Sequence, residues 1–463
     1  MKHGVPEPCR ARTESEFVGL LRHLKEWSGL TYRQLELRAR RQGAQLPRST
    51  VAAALGRASL PREEVVDGIV RACGHDPDPW LEARAKLALG GAAELPGDSA
   101  PRQLPPAATA LAGREAELEQ LRRMLAPDAP QTRVIVISGT PGGGKSALAL
   151  HAARHAAERF ADGQLYVNLR GSAADARPLP PREIVARLLR GLGVSGAGVP
   201  ETADEAAALL RTVVAGRSFL VLLDNAASAA QVRHLVPLGA GSTVMVTSRH
   251  RMTSLEGSAH VAVGSLSPAG AMWMLERLLG ADRVRGEPAA VARLAQLCGY
   301  LPLALRVAAA RLAVRPDWPV AGLVERLRDE RARLDELRVD DVEVAASLAM
   351  SYRDLTACTG RVAGAALGAF HLMGTLSGPE VESQLVAERL GLTAADADGA
   401  IERLVEAHLL EVAGGGRYRM PDLLWLFAGQ QVRLHGWQPP PRRPDRRVVL
   451  TAPGTAAQTG FTN

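Results

Sequence analysis

The octapeptide Gly139-Thr140-Pro141-Gly142-Gly143-Gly144-Lys145-Ser146 fits the pattern G-x-x-x-x-G-K-[ST]. Glycines at these positions let successive backbone N–H groups turn inward around a phosphate. The lysine reaches β- and γ-phosphates, and the hydroxyl ligates Mg²⁺. Ala147 follows at the start of a helical run, whose N-terminus adds a favourable dipole. Residues 139–147 are therefore read as the cradle of ATP or ADP with Mg²⁺. Lysine is scarce in this chain, being only Lys2, Lys25, Lys86 and Lys145 among 56 basic residues, yet one stands where the chemistry needs it.

Mg²⁺ needs an acidic partner at the end of a later buried strand. Phe219-Leu220-Val221-Leu222-Leu223-Asp224 supplies it, so Asp224 is expected to join Ser146 as a metal ligand. The next residue is Asn225, whose amide cannot accept a proton from attacking water, which predicts slow hydrolysis. Thr243-Val244-Met245-Val246-Thr247-Ser248-Arg249 ends in a polar cluster, and Arg249 is placed to sense a γ-phosphate. Lys145, Asp224 and Arg249 form the expected catalytic set.

These groups need strands to hold them. Val134–Ser138, Gln164–Leu169, Phe219–Leu223, Thr243–Thr247 and His260–Val263 are short β-branched runs alternating with helical segments. That alternation predicts a parallel sheet covered on both faces, with ligands at the carboxyl ends of its strands. Beyond about residue 266 the strand signal vanishes, and helical periodicity runs on, broken by Gly391, Gly414–Gly416 and Pro421.

At 463 residues, 46% of them hydrophobic, the chain is long enough for about three cores. A net charge of +7 is a mild bias toward acidic partners. Cys9, Cys73, Cys298 and Cys358 are scattered without zinc or disulfide spacing. No signal peptide and no 18-residue apolar run is seen, so a cytoplasmic protein without membrane partners is expected.

The N-terminal segment, 14–88, reads as short helices, followed by a Pro/Gly/Ala linker over 89–110. Thr31-Tyr32-Arg33-Gln34-Leu35 opens one helix, and Leu46-Pro47-Arg48-Ser49-Thr50-Val51 opens another. Between residues 31 and 62 seven arginines face one acid, Glu36. Such a balance suits DNA, with Arg33, Gln34, Arg48, Ser49, Thr50 and Arg57 as candidate contacts. The segment Arg40–Pro47 between the helices is longer than a usual turn. Past Gln438, prolines and arginines mark a disordered basic tail.

Together the motifs resemble the NB-ARC class of signal-transduction (STAND) P-loop ATPases, in particular regulators with an N-terminal Xre/Cro-like helix-turn-helix domain. Leu111-Ala112-Gly113-Arg114-Glu115 resembles the adenine-side entry motif, and Tyr166-Val167-Asn168-Leu169-Arg170-Gly171 the second strand. Gly299-Tyr300-Leu301-Pro302-Leu303-Ala304-Leu305 resembles the helix whose proline packs on the nucleotide. The resemblance adds Gly113, Arg114 and Pro302 to the nucleotide set. It implies a multidomain chain: an all-α helix-turn-helix domain (14–88), an α/β P-loop core (111–265), a helical lid (266–335) and a winged helix (340–435). Met420-Pro421-Asp422 stands where the family has Met-His-Asp, and proline has neither imidazole nor N–H. No superhelical or propeller repeats follow the winged helix, so either a separate sensor protein supplies the input or the protein responds to nucleotide and concentration alone. The function implied is an ATP/ADP-switched transcriptional regulator that self-associates in its ATP state. A nucleotide-controlled signalling or defence scaffold, whose N-terminal helices bind protein, stays open beside it.

Overall fold

The computed structural model describes residues 13–41, 46–57, 59–90, 100–107, 111–126, 134–171, 177–236, 238, 239, 241–340 and 342–440, with Pro6, Pro8 and Ala11. The basic tail beyond residue 440, residues 91–99 and 108–110 of the linker, and residues 42–45 between the two arginine-bearing helices lie outside the described residues.

The centre is a five-stranded parallel sheet of β1 (Val134–Gly139), β2 (Gly163–Asn168), β3 (Phe219–Ala226), β4 (Thr243–Ser248) and β5 (Ser258–Val263), in the order β2-β3-β4-β1-β5. All five strands fall where the sequence predicts them. Period-two alternation explains why a continuous apolar run makes a central strand. Val134 and Val136 join the core on one face, while Ile135 and Ile137 join the core on the other. All four are buried, and each such burial stabilises by roughly 2 kcal/mol. Helices Glu115–Met124 and Lys145–Ala156 cover the isoleucine face; Pro181–Gly191 and Ala203–Val214 cover the other.

Part of the predicted linker belongs to this sheet. Gln103 N–H donates to the Gln164 carbonyl at 3.0 Å, and Gln164 N–H donates to the Pro101 carbonyl at 2.6 Å. Strand β2 is an edge, and an uncovered edge offers unpaired backbone groups to other chains. The proline-containing segment occupies those groups.

Five helices, Glu14–Trp27, Tyr32–Arg41, Arg48–Gly56, Glu63–Ala72 and Asp78–Gly90, enclose a separate N-terminal core. Phe17 and Trp80 meet edge to face at its centre, with ring centroids 5.7 Å apart. The first helix is capped by Thr13, whose hydroxyl accepts from Glu16 N–H. The second opens with a reciprocal box: Thr31 N–H donates to Gln34 Oε1 at 2.8 Å, and Gln34 N–H to Thr31 Oγ1 at 3.3 Å.

After β5 the chain is mainly helical. One buried cluster runs from Leu266 to Ala428, so a single core spans both the segments read as lid and as winged helix. The structure departs from the sequence reading here. Strands Glu380–Glu382, Glu411–Gly414 and Arg417–Arg419 form a small antiparallel sheet where helix was read. At three or four largely exposed residues each, they are too short to show a period-two pattern. Gly414, Gly415 and Gly416, read as a break in a helix, are the hairpin turn.

Candidate functional site

Strand β1 ends in the glycine-rich loop, and helix Lys145–Ala156 leaves it with Gly144 at its N-cap. Gly139 has no alternative: a Cβ there would lie 1.9 Å from the Val263 carbonyl oxygen, where the loop leaves the sheet against β5. Gly142 and Gly144 take positive φ values of 76° and 91°, which side chains strain to adopt. The Lys145 ammonium donates to the Gly139 and Thr140 carbonyls, both at 2.9 Å. Burial, together with the Arg249 charge, brings its pKa down to about 7, against the opposing pull of Asp224.

Above the loop lies a cavity of about 850 Å³. At the phosphate cradle its lining is residues 142–147, and Asn168, Asp224, Asn225, Thr247, Ser248 and Arg249 join them from the carboxyl ends of β2, β3 and β4. The apolar part of its lining is Leu111, Leu266, Trp273, Met274, Leu278, Pro302 and Leu303, the last against Gly142 of the loop. Of the residues singled out from the sequence, Gly142, Gly143, Gly144, Lys145, Ser146, Ala147, Asp224, Arg249, Arg114 and Pro302 line one cavity. Gly139, Thr140, Pro141 and Gly113 do not line it.

Asp224 is buried, and its carboxylate is held between hydroxyls. Thr247 donates to Oδ1 at 2.6 Å and Tyr166 to Oδ2 at 3.3 Å. Burial and the neighbouring Asp224 charge push the Tyr166 phenol up to about 12. Asn225 sits at φ 61°, and its N–H donates to Thr247 Oγ1 at 2.8 Å. Thr247 therefore ties together the tips of β3 and β4.

Gly113 and Arg114 contribute by bracing. A Cβ on Gly113 would stand 2.6 Å from Gly270 Cα, so the entry segment packs backbone to backbone on helix Pro268–Leu279. Arg114 is buried; its guanidinium donates to the Gly143 carbonyl at 2.9 Å, to the Gly264 carbonyl and to Glu117 Oε1. It props the loop from behind while lining the cavity. Leu303 N–H, one residue after Pro302, donates to the Gly142 carbonyl at 3.2 Å, tying helix Pro302–Ala313 to the loop.

Two contacts that sequence reasoning did not anticipate reach the phosphate-cradle end from the C-terminal helices. The Arg249 guanidinium donates to the Ser347 carbonyl at 2.9 Å and to Ser351 Oγ at 3.0 Å, both on helix Val344–Ala357. His408 Nε2 pairs with Ser138 Oγ at 3.0 Å across 270 residues of sequence, beside the start of the loop. Burial, then Arg251, Lys145 and His250, bring the His408 pKa down to about 3. Arg251 N–H donates to the Glu406 carbonyl at 3.2 Å, adding a backbone link. A lone histidine between apolar residues carries no sequence signal of such pairing.

Residues 110–412, the span that builds this cavity, match the model of the AAA ATPase domain. The chain belongs to that family. Membership of an ATPase family implies a nucleotide ligand. This AAA ATPase is 39% identical over 381 residues to the regulatory protein AfsR of Streptomyces griseus. It is also 39% identical over 372 residues to AfsR of Streptomyces coelicolor. The alignments cover 80% and 77% of this chain but 38% and 37% of those relatives, so the chain spans less than two-fifths of their length. Among solved structures, the Walker-type ATPase of Pyrococcus abyssi aligns over 73% of this chain and 99% of its own, at 13% identity and a TM-score of 0.48.

The candidate DNA contacts are separate from this cavity. Arg33, Gln34, Arg48, Ser49, Thr50 and Arg57 are all exposed on the N-terminal helices. Gln34 is partly committed, since its side-chain oxygen also accepts from the Thr31 hydroxyl at 2.9 Å. Among the described residues no helix is long and apolar enough to cross a membrane, and no cluster of three or more His, Cys, Asp or Glu could hold a metal.

Proposed function

We propose that this AAA ATPase is an ATP/ADP-switched transcriptional regulator. Its N-terminal helices would bind DNA as a helix-turn-helix, and its ATP form would self-associate. One observation carries the switch: Arg249, which lines the cradle end of the cavity, is hydrogen-bonded to the helix Val344–Ala357. A γ-phosphate competing for that guanidinium would weaken its hold on Ser347 and Ser351, so nucleotide state and docking of the C-terminal unit share one side chain. His408 on Ser138 and Arg251 on Glu406 hold the same interface. They support closure without the family histidine, whose place is taken by Pro421. We read that C-terminal unit as the winged helix and residues 266–335 as the lid.

Ser146 and Asp224 fit Mg²⁺. Both are oxygen donors lining one cavity, and the hydrogen-bond partners of the buried Asp224 carboxylate are neutral hydroxyls. With few protein ligands, such an ion takes its remaining oxygens from phosphate and water, as Mg²⁺ does. It would neutralise phosphate charge. Asn225, in place of a carboxylate, makes turnover slow, suiting a timer. The exposed arginines of the N-terminal helices, and relatives that are regulatory proteins, support the DNA reading. A single such module binds weakly, and self-association would multiply the contacts.

The test is selection of genomic DNA fragments by purified protein with ATP and with ADP, alongside sedimentation in each nucleotide. Enrichment of a discrete sequence, stronger with one nucleotide, is expected together with a larger assembly in ATP. Nucleotide-driven assembly indifferent to DNA would instead establish the scaffold whose N-terminal helices bind protein.

A further inference from the structure

Resting on the reading of the cavity as a nucleotide site, we infer that Trp273 is its base-stacking platform and sets a preference for purine nucleotides. Trp273 is the one aromatic side chain among the residues lining the cavity, which it shares with the glycine loop's phosphate cradle. It projects from helix Pro268–Leu279, which is pinned against the entry segment by the Gly113–Gly270 contact, so its position is fixed by close backbone packing. The indole is nevertheless 40% exposed, unusual for so large an apolar group on a well-packed helix. Among the described residues it meets no other aromatic ring. The Arg277 guanidinium stands 5.6 Å from its ring centroid. An indole with free surface, an adjoining guanidinium plane and the apolar neighbours Met274, Leu278 and Pro302 is a site for a flat, electron-poor ring.

Two sets of lining residues then do different work. The loop and Lys145 hold phosphate charge, common to every nucleotide. Trp273 holds the base, and a two-ring purine covers more of an indole than a one-ring pyrimidine. Stacking needs no hydrogen-bond code, so the selectivity is between ring sizes rather than between adenine and guanine.

Titration calorimetry separates these contributions, using ADP, CDP and base-free tripolyphosphate on the full chain carrying Trp273→Ala or Trp273→Phe. Trp273→Ala should weaken ADP on the order of 10- to 100-fold, the range that loss of one base–aromatic stack produces. Tripolyphosphate affinity should be unchanged, and the ADP-over-CDP preference should collapse. Trp273→Phe, which keeps an aromatic face, should recover most of the ADP affinity. Equal ADP binding by wild type and Trp273→Ala would overturn the inference. So would a parallel loss of ADP and tripolyphosphate, which would mean that the indole merely positions the helix. Wild-type protein that binds neither ADP nor tripolyphosphate would sink the nucleotide reading itself, a result distinct from either.

Discussion

The cavity and the arginine-rich surface of the N-terminal helices are both cationic, but they are built in opposite ways. In the cavity Lys145 is held by two loop carbonyls, Arg114 by the Gly143 and Gly264 carbonyls, and Arg249 by the Ser347 carbonyl and the Ser351 hydroxyl. On the N-terminal helices Arg33, Arg48 and Arg57 are exposed, and Arg40 is held only by an exposed pair with Glu36 at 3.2 Å. The first arrangement is preorganised and intolerant of change. The second is a field whose members act nearly independently. Substitutions should therefore give large, specific losses in one region and small, additive ones in the other.

The sharpest contrast comes from Lys145→Ala, which removes a half-buried cation from the lining of the phosphate cradle. Nucleotide affinity should fall by about 100-fold, because a charge-assisted hydrogen bond to phosphate contributes roughly 1.5–3 kcal/mol. Calorimetric titration with ADP measures this, and a thermal melt checks that the fold survives. Unchanged affinity would remove the claim that residues 139–146 cradle phosphate.

The same lysine should make binding pH-dependent. Its pKa of about 7 lies far below the ordinary lysine value, so near pH 7 about half the molecules hold it neutral. Phosphate favours the protonated form, which means that binding takes up a proton above pH 7 and weakens as pH rises. Between pH 6 and pH 8 affinity should drop about tenfold. Titrations in buffers of different ionisation heat should find uptake approaching one proton at pH 8. No uptake would mean that the lysine is already charged before nucleotide arrives.

His408 tests whether the interface at the cradle is held as firmly as the cradle itself. Its folded pKa of about 3 lies below the ordinary histidine value, so the docked form excludes the imidazolium. Docking is at full strength above about pH 6.5 and is lost as pH falls toward 3. At pH 5.5 it should be weaker by about tenfold than at pH 7.5. Hydrogen exchange around Ser138 and residues 405–410 reads this directly. His408→Gln should flatten most of the slope, leaving the contribution of His250, which burial also lowers. A slope untouched by His408→Gln would assign it elsewhere.

The contrast between the regions also explains what the sequence made legible. The loop was readable because its constraints are local: Gly139, Lys145 and Ser146 act within one strand–turn–helix unit, and spacing along the chain is spacing in space. The sheet was readable because β1 and β3 alternate buried faces over unbroken apolar runs. Trp273, Ser351 and His408 were not readable: Ser351 and His408 reach the site across 102 and 270 residues of sequence, and a single tryptophan or histidine has no period. Arg114 was singled out by resemblance as part of the nucleotide set, whereas its bracing of the Gly143 carbonyl emerged only from the geometry. The short strands around Gly414–Gly416 hid because three residues cannot show alternation.

The smallest expected effects lie on the N-terminal helices, and they decide whether that surface is a nucleic-acid interface at all. Arg57 is exposed near the end of helix Arg48–Gly56, so Arg57→Ala should cost little stability. If it contacts a phosphate, the log–log salt dependence of DNA binding should become shallower by about one unit, with affinity falling similarly on every sequence. Arg48→Ala, at the start of the same helix, should instead relax discrimination at one base position by roughly 1–3 kcal/mol. Neither change should alter ADP affinity, because the residues stand on a core separate from the cavity. Should both leave the salt slope intact, the arginines are a solvated face, and the partner of these helices is a protein.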